Sequence, residues 1–326
     1  MGRGLKMVNK KEIKIMDIPG VGAATAKKLE EAGFLDLMSL AVASPGELKD
    51  TIGASEAVAR KIINVARSSL EMGYEDGETL LKKRNENIIK ITAGSKELNK
   101  LLGGGIQTSA VTEVYGAYGS GKTSLAHQLA VNVQLPIDKG GAAGMAVWID
   151  SEGTLRPEFI KQIAEGQQMD SLEALRNFRG IRAFNSDHQM LLAEKIEDLI
   201  LKDHLPIKLV IVDSLMSHFR SEFIGRGTLA DRQQKLNKHI HVLLKLAHQY
   251  NLAIYITNQV MAKPDTFFGD PTEAIGGHVL HHASTYRLYF RRGKKGSRVA
   301  KLVDAPAMPD SECVFAITDK GIRDFE

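Results

Sequence analysis

Eight consecutive residues, Gly116, Ala117, Tyr118, Gly119, Ser120, Gly121, Lys122 and Thr123, fit the spacing G-x-x-x-x-G-K-[ST] at every fixed position. Glycines at such positions let successive backbone N–H groups close on phosphate oxygens, and a helix beginning at the lysine adds its positive end. The pattern predicts binding of a nucleoside triphosphate, with Lys122 reaching the β- and γ-phosphates and the Thr123 hydroxyl ligating Mg²⁺. A Gly-rich turn that matched by accident would lack the flanks present here. Val111-Thr112-Glu113-Val114-Tyr115 reads as a strand, and Ser124 through Val131 reads as a helix.

Further polar residues follow apolar strand-like runs. Val147-Trp148-Ile149-Asp150 leads into Ser151-Glu152-Gly153, which brings Glu152 to a strand end where a carboxylate can orient and polarise an attacking water. Leu209-Val210-Ile211-Val212 precedes Asp213, the pattern of an acidic residue that holds Mg²⁺ through water; the alternative is a helix cap. Ala253-Ile254-Tyr255-Ile256-Thr257 delivers Asn258 and Gln259 to the same edge, where an amide can sense a γ-phosphate. Two long Gly-containing segments follow these strands. One holds Arg220, Phe223, Gly225, Arg226 and Gly227; the other runs over residues 260–278 with Met261, Lys263, Phe267, Phe268, Gly276 and Gly277. Cations with apolar side chains at one sheet edge suit a single-stranded DNA path, although arginines in loops also occur simply solvated.

The elements needed to position these groups are legible as alternation. Strands are expected over 110–115, 145–150, 208–213 and 252–257, and helices near 122–134, 157–164, 187–202 and 229–250. Apolar strands of this kind are buried on both faces of a mostly parallel sheet, with ligands at their carboxyl ends. After about Ser284 the pattern changes to β-hairpins, with strands over 285–291 and 298–304 around the cationic turn Arg292-Gly293-Lys294-Lys295-Gly296-Ser297.

The amino-terminal third reads differently. After a short tail expected to be disordered, two turn signals, Ile18-Pro19-Gly20-Val21-Gly22 and Ile52-Gly53-Ala54-Ser55, each precede a helix, over 23–32 and 56–70. Paired helices around such a turn form a helix-hairpin-helix unit. Its free N–H groups, beside Lys27 and Lys28, can meet a duplex DNA phosphate without reading sequence; the alternative is a small bundle whose glycines cap helices. The domain expectation is 1–72 for this unit, 73–87 for a linker and 88–326 for the nucleotide-binding core. Tyr74 in the linker can pack on its own domain or anchor in a neighbouring copy.

Composition narrows the class. In 326 residues with 43% hydrophobic content the formal net charge is only +4, so any nucleic-acid binding rests on local basic patches. The single cysteine, Cys313, excludes an intramolecular disulfide and reads as a reduced, buried residue. No apolar run approaches the ~20 residues of a membrane span, and no secretory signal is read at the amino terminus; the expectation is an intracellular, cytoplasmic, nucleoid-associated protein without membrane contact.

The combination is more specific than any one motif. The loop from Gly116 to Thr123, Trp148-Ile149-Asp150-Ser151-Glu152-Gly153, Arg182-Ala183-Phe184-Asn185-Ser186-Asp187-His188-Gln189, Val212-Asp213-Ser214, Gly225-Arg226-Gly227, Arg232-Gln233-Gln234-Lys235-Leu236, Thr257-Asn258-Gln259-Val260 and Ile275-Gly276-Gly277-His278 together resemble the archaeal branch of the RecA/RadA family of DNA strand-exchange ATPases, over essentially the whole chain. The resemblance implies an α/β fold, with a RecA-like P-loop core of mostly parallel sheet and C-terminal β-hairpins beside a small all-α helix-hairpin-helix domain. It implies ATP and Mg²⁺ as cofactors, single-stranded and double-stranded DNA as partners, a homo-oligomer as filament or ring, and recombination mediators that load it. By the same resemblance Glu152 activates water, Gln259 couples nucleotide to the second loop with Gly276 and Gly277, and Arg220, Arg226 and Arg232 serve the first. Tyr74 and Gly77 take the places of a linker Phe-x-x-Ala motif that enters the next subunit. Phe159 takes the place of a basic residue beside the adenine, and Ser124 follows the P-loop in place of the usual Gln. Asp304-Ala305-Pro306-Ala307-Met308-Pro309 matches a segment that caps the neighbour's ATP. The activity implied is a DNA-dependent ATPase that pairs homologous DNA and exchanges strands. A regulatory paralogue that binds ATP and DNA without strand exchange, and a ring-forming helicase motor, are the alternatives.

Overall fold

We describe the chain from a computed structural model covering residues 15–34, 36–70, 74–262 and 272–326. Contacts divide it into two compact units, Met1–Lys82 and Lys83–Glu326. The expected disordered tail lies outside the described residues.

In the first unit a short 3-10 turn, Ile15–Asp17, leads into α1 (Ala23–Glu31), α2 (Leu37–Val42), α3 (Pro45–Ile52) and α4 (Glu56–Ser69). Local chemistry sets the starts of the last three. Asp36 accepts the Ser39 N–H at 2.7 Å, Ser44 the Glu47 N–H at 3.1 Å and Ser55 the Val58 N–H at 3.4 Å. Helix α1 starts at Gly22, which has no side chain to cap it. Leu29, Leu40, Leu48, Ile62 and Ile63 fill the centre, each side chain contributing about 1.5–3 kcal/mol by burial. The lysines expected to face a phosphate are engaged inside this unit: Lys28 Nζ donates to the Ile52 carbonyl at 3.3 Å, where the carboxyl end of α3 attracts a cation, and Lys27 stands 3.9 Å from Glu31.

The segment expected as a linker carries a helix, α5 (Gly77–Asn87). Asp76 starts it by accepting both the Thr79 N–H and hydroxyl at 2.9 Å, and the Leu, Lys, Glu and Arg that follow are strong helix formers. Tyr74, just ahead, is fully exposed, and Gly77 has open space where a Cβ would stand.

The second unit begins with β1 (Lys90–Ile91), α6 (Lys96–Leu101) and β2 (Ile106–Gln107). It continues with β3 (Ala110–Gly116), α7 (Lys122–Asn132), β4 (Met145–Asp150), α8 (Pro157–Gly166), α9 (Ser171–Arg176) and β5 (Phe178–Arg182). The helix expected over 187–202 is divided at Lys195 into α10 (Ser186–Glu194) and α11 (Ile196–Leu201). Then come β6 (Ile207–Asp213), α12 (Ser217–Glu222), α13 (Leu229–Tyr250), β7 (Ala253–Asn258), β8 (Val260–Ala262), β9 (Thr272–Ala274) and α14 (Gly277–Ala283). Four strands close the chain: β10 (Tyr286–Arg292), β11 (Arg298–Asp304), β12 (Ser311–Thr318) and β13 (Gly321–Asp324).

Among the described residues nine strands form one sheet in the order β13-β12-β11-β10-β3-β7-β6-β4-β5. From β10 to β5 every pairing is parallel, and from β10 to β13 every pairing is antiparallel. The C-terminal hairpins therefore extend the central sheet. Side chains alternate across it: Ala146 and Trp148 join the core beneath α7 and α8, while Val147 and Ile149 join the core beneath α10 and α13. Covering both faces leaves the carboxyl ends of the parallel strands as the open edge. Cys313 is buried in the first of these cores, and burial pushes its thiol up to about 12. No helix among the described residues is long and apolar enough to cross a membrane.

Candidate functional site

Strand register brings the predicted polar residues to one edge. Asp150 lies opposite Asp213, Tyr115 opposite Asn258, and β3 ends at Gly116. Beyond that edge is a cavity of about 590 Å³, lined by Gly116, Lys122, Thr123, Glu152, Asp213 and Gln259 among others. Its size is that of a small-molecule or cofactor pocket. Gly121 caps α7 with φ +106°, and a Cβ there would come within 3.0 Å of Ile317 Cδ1, so both backbone and space call for glycine.

The cavity is chemically suited to a polyphosphate. Lys122 Nζ donates to the Gly116 and Ala117 carbonyls at 2.8 and 3.0 Å, wrapped by its own loop. Burial lowers its pKa, while the carboxylates of Asp213 and Glu152 act the other way. Asp213 is nearly fully buried, and burial raises its pKa against hydrogen bonds from Thr257, Thr123 and Thr154; the Thr154 hydroxyl stands at 3.0 Å. A divalent cation beside it would favour the ionised form. Thr123 and Asp213 supply the hard oxygen donors that Mg²⁺ takes, so the residues fit that ion as well as the nucleotide. Ser124 also lines the cavity.

Glu152 is held from two sides. Ser214 Oγ donates to its Oε1 at 2.6 Å, and Gln259 Nε2 donates to the same oxygen at 2.8 Å. The turn that carries it is fixed by Asp150, whose Oδ1 accepts the N–H groups of Glu152, Gly153 and Thr154 at 3.1, 2.7 and 3.2 Å. Its Oδ2 accepts the Leu155 N–H at 3.3 Å, and Arg182 adds a charge at 3.3 Å from Oδ1. A second brace joins the P-loop helix to α8: His127 Nδ1 lies 2.7 Å from the Thr123 carbonyl, and its Nε2 accepts the Arg156 N–H at 2.9 Å. This pattern requires the neutral ring protonated at Nδ1, and burial accordingly brings the His127 pKa to about 4.

One expected neighbour of the nucleotide is placed elsewhere. Phe159 does not line the cavity; its half-buried ring packs 5.3 Å from His127 against the core, because α8 turns that apolar face inward. Arg156 and Arg298, which motif reading did not single out, do line it, and Arg298 Nε donates to the Gly119 carbonyl at 3.0 Å. Arg298 comes from a hairpin 179 residues away, beyond the reach of local spacing.

The start of α13, just past the first long segment, meets the end of the second. Arg220 is exposed in the last turn of α12, Arg226 opens a 3-10 turn, and Arg232 is half-buried near the start of α13 with no Nε partner among the described residues. Next to Arg232, Gln233 Nε2 donates to the Gly276 carbonyl at 3.3 Å. Gly276, at φ +121°, and Gly277 form the turn into α14. Glu222 fastens the base of the first segment by accepting from the Ser186 N–H at 2.7 Å and from the Ser186 hydroxyl. Lys263, Phe267 and Phe268 lie outside the described residues; β8 and β9 pair antiparallel on either side of them.

Comparison with known proteins agrees with this geometry. The sequence profile of the Rad51 family matches residues 83–325, and that of the SAM-like helix-hairpin-helix tandem matches residues 12–68. The curated DNA repair and recombination protein RadA of Aeropyrum pernix is 51% identical to this chain over 319 residues, 98% of this chain and 99% of that protein.

Proposed function

The chain belongs to the Rad51 family, and from that premise we propose that it is a DNA-dependent ATPase and recombinase, assembling on single-stranded DNA with ATP and Mg²⁺ to catalyse homologous pairing and strand exchange in recombinational DNA repair. The observation that carries this reading is the 2.8 Å hydrogen bond between Gln259 and Glu152, which makes the base that would activate water a neighbour of the segment that would hold DNA.

In this mechanism the P-loop N–H groups and Lys122 bind the phosphates, and Thr123 and Asp213 hold the ion. Mg²⁺, when bound, neutralises charge that develops on the phosphate oxygens. Glu152 accepts a proton from the attacking water, oriented by Ser214 on one side and Gln259 on the other. A γ-phosphate beside Gln259 would compete with Glu152 for its amide donors, and nucleotide state thereby biases the segment beyond it. Arg220, Arg226 and Arg232 neutralise DNA phosphates beside the first segment, and Gly276 and Gly277 let backbone approach the strand at the second. Tyr74 and Gly77 anchor the chain in a neighbouring copy, and the segment Asp304 to Pro309 completes that neighbour's nucleotide site. The helix-hairpin-helix unit contributes duplex binding through uncapped N–H groups at α1. Exchange of one paired strand for an identical one is nearly balanced in energy, so hydrolysis serves to reset the assembly.

The test mixes stoichiometric protein with homologous single-stranded and duplex DNA and measures joint molecules with and without ATP. ATP-dependent joints are expected. Binding of ATP and DNA with no joints would replace this reading by that of a regulatory paralogue.

A further inference from the structure

An ion pair is buried in the middle of the sheet, one layer behind the candidate site. Glu113 on β3 is fully buried, and Arg287, opposite it in register on β10, is 7% exposed and donates from Nε to Glu113 Oε2 at 2.7 Å. The guanidinium also lies 5.4 Å from the ring centroid of Tyr115. A buried pair of this kind gains little stability over two apolar side chains of similar volume, so stability alone is a weak reason for it.

Its other carboxylate oxygen points to a different role. Glu113 Oε1 accepts from Asn258 Nδ2 at 2.8 Å, and the same Nδ2 donates to the Ile275 carbonyl. Asn258 Oδ1 in turn accepts the Gln259 N–H at 2.8 Å, and the Ile275 N–H donates to the Gln259 carbonyl at 3.1 Å. An ionised carboxylate only accepts, so it dictates which end of the Asn258 amide faces it. With Nδ2 held by Glu113, Oδ1 must face Gln259. Arg287 holds Glu113 in place through its Nε bond, and thereby helps keep the amide from turning over.

We propose that Glu113 and Arg287 are positioning residues that fix the orientation of the Asn258 amide, and through it the backbone of Gln259 and of Ile275-Gly276, so that the nucleotide edge and the root of the second segment move as one. This rests on the coupling role proposed for Gln259. The prediction is specific to charge. In Glu113→Gln the new amide can donate as well as accept, so only the Ile275 carbonyl still dictates which way the Asn258 amide faces, and the bond to the Gln259 N–H is loosened although side-chain volume hardly changes.

The experiment measures, for the full chain and for Glu113→Gln, backbone hydrogen exchange along β7 and the ratio of ATP hydrolysis with and without single-stranded DNA. In the variant, Gln259 exchanges faster while Ile254 and Ile256 stay protected, and the stimulation ratio falls on the order of tenfold at unchanged KM for ATP. Because Glu113→Gln alone can compromise folding, a double variant, Glu113→Met with Arg287→Met, is measured beside it. It refills the space, and it is expected to keep its Tm and lose the stimulation. Protection lost uniformly along β7 in Glu113→Gln, or wild-type stimulation in a folded variant of either kind, would overturn the positioning role. A wild-type chain whose hydrolysis ignores DNA, yet whose Gln259 protection depends on Glu113, would overturn the proposed function and leave the relay standing.

Discussion

The turn after β4 and the turn after β7 leave the same sheet edge, and both deliver a side chain to one carboxylate oxygen, yet they are held in opposite ways. Asp150 takes N–H groups from four consecutive residues, so the turn bearing Glu152 is fastened by many short local bonds. The turn bearing Gln259 is fastened from afar, by the Asn258 amide, which donates to groups 145 and 17 residues away, and by the Ile275 N–H on the Gln259 carbonyl. Local bonds make a fixed turn; a few bonds to distant parts of the chain make one that can transmit a change. The first arrangement suits a base that must stay in place, and the second a sensor.

The largest effect that would sharpen this contrast comes from the fixed turn. Glu152→Gln is expected to lower ATP hydrolysis by about 10²–10⁴-fold, the range of a general base, while nucleotide binding measured by equilibrium dialysis remains. Hydrolysis near the wild-type rate would remove Glu152 from its role. Asp150→Asn comes next. Replacing a charged acceptor of four N–H groups by a neutral one loosens the turn, and kcat is expected to fall on the order of 10²-fold with KM little changed. A change in KM alone would place Asp150 in binding instead.

Acid sensitivity tests whether two buried rings are held neutral. His127 and His239 are both buried, and burial lowers the pKa of each from 6.5 to about 4. The unfolded chain binds these protons first, so stability is complete above pH 6.5 and lost as pH falls towards 4. Each histidine costs up to about 1.4 kcal/mol per pH unit inside that window. Tm is expected to drop between pH 7 and 5, and His239→Gln to flatten the slope; an unchanged Tm would show that these rings are not held neutral. The smallest effect is Ser214→Ala, which removes one bond to Glu152 and leaves Gln259 in place. Hydrolysis is expected to fall on the order of 10-fold, the low end for one neutral donor to a charged group. A fall as deep as that of Glu152→Gln would mean that the two donors are not alternatives.

The P-loop, Glu152, Asp213 and Gln259 are legible in sequence because each sits a fixed step beyond an apolar strand, and parallel register does the rest. The same local logic fails where chemistry arrives from afar. Arg298 meets Gly119 across 179 residues, and Arg287 meets Glu113 across 174, so no spacing announces either contact. Phe159 was expected at the nucleotide on resemblance of position, but an apolar ring gains more by packing on His127 than by facing a polar cavity. Within the expected linker Gly73 and Gly77 give no helical signal, yet the Asp76 cap and the helix-forming residues after it start α5 there.

The most direct measurement of the central claim, that Gln259 joins hydrolysis to DNA, is single-turnover ATP hydrolysis by the wild-type chain and Gln259→Ala, each with and without single-stranded DNA. Acceleration by DNA in the wild type, and its loss in Gln259→Ala at undiminished ATP binding, is the expected result. Equal acceleration in both proteins would contradict it.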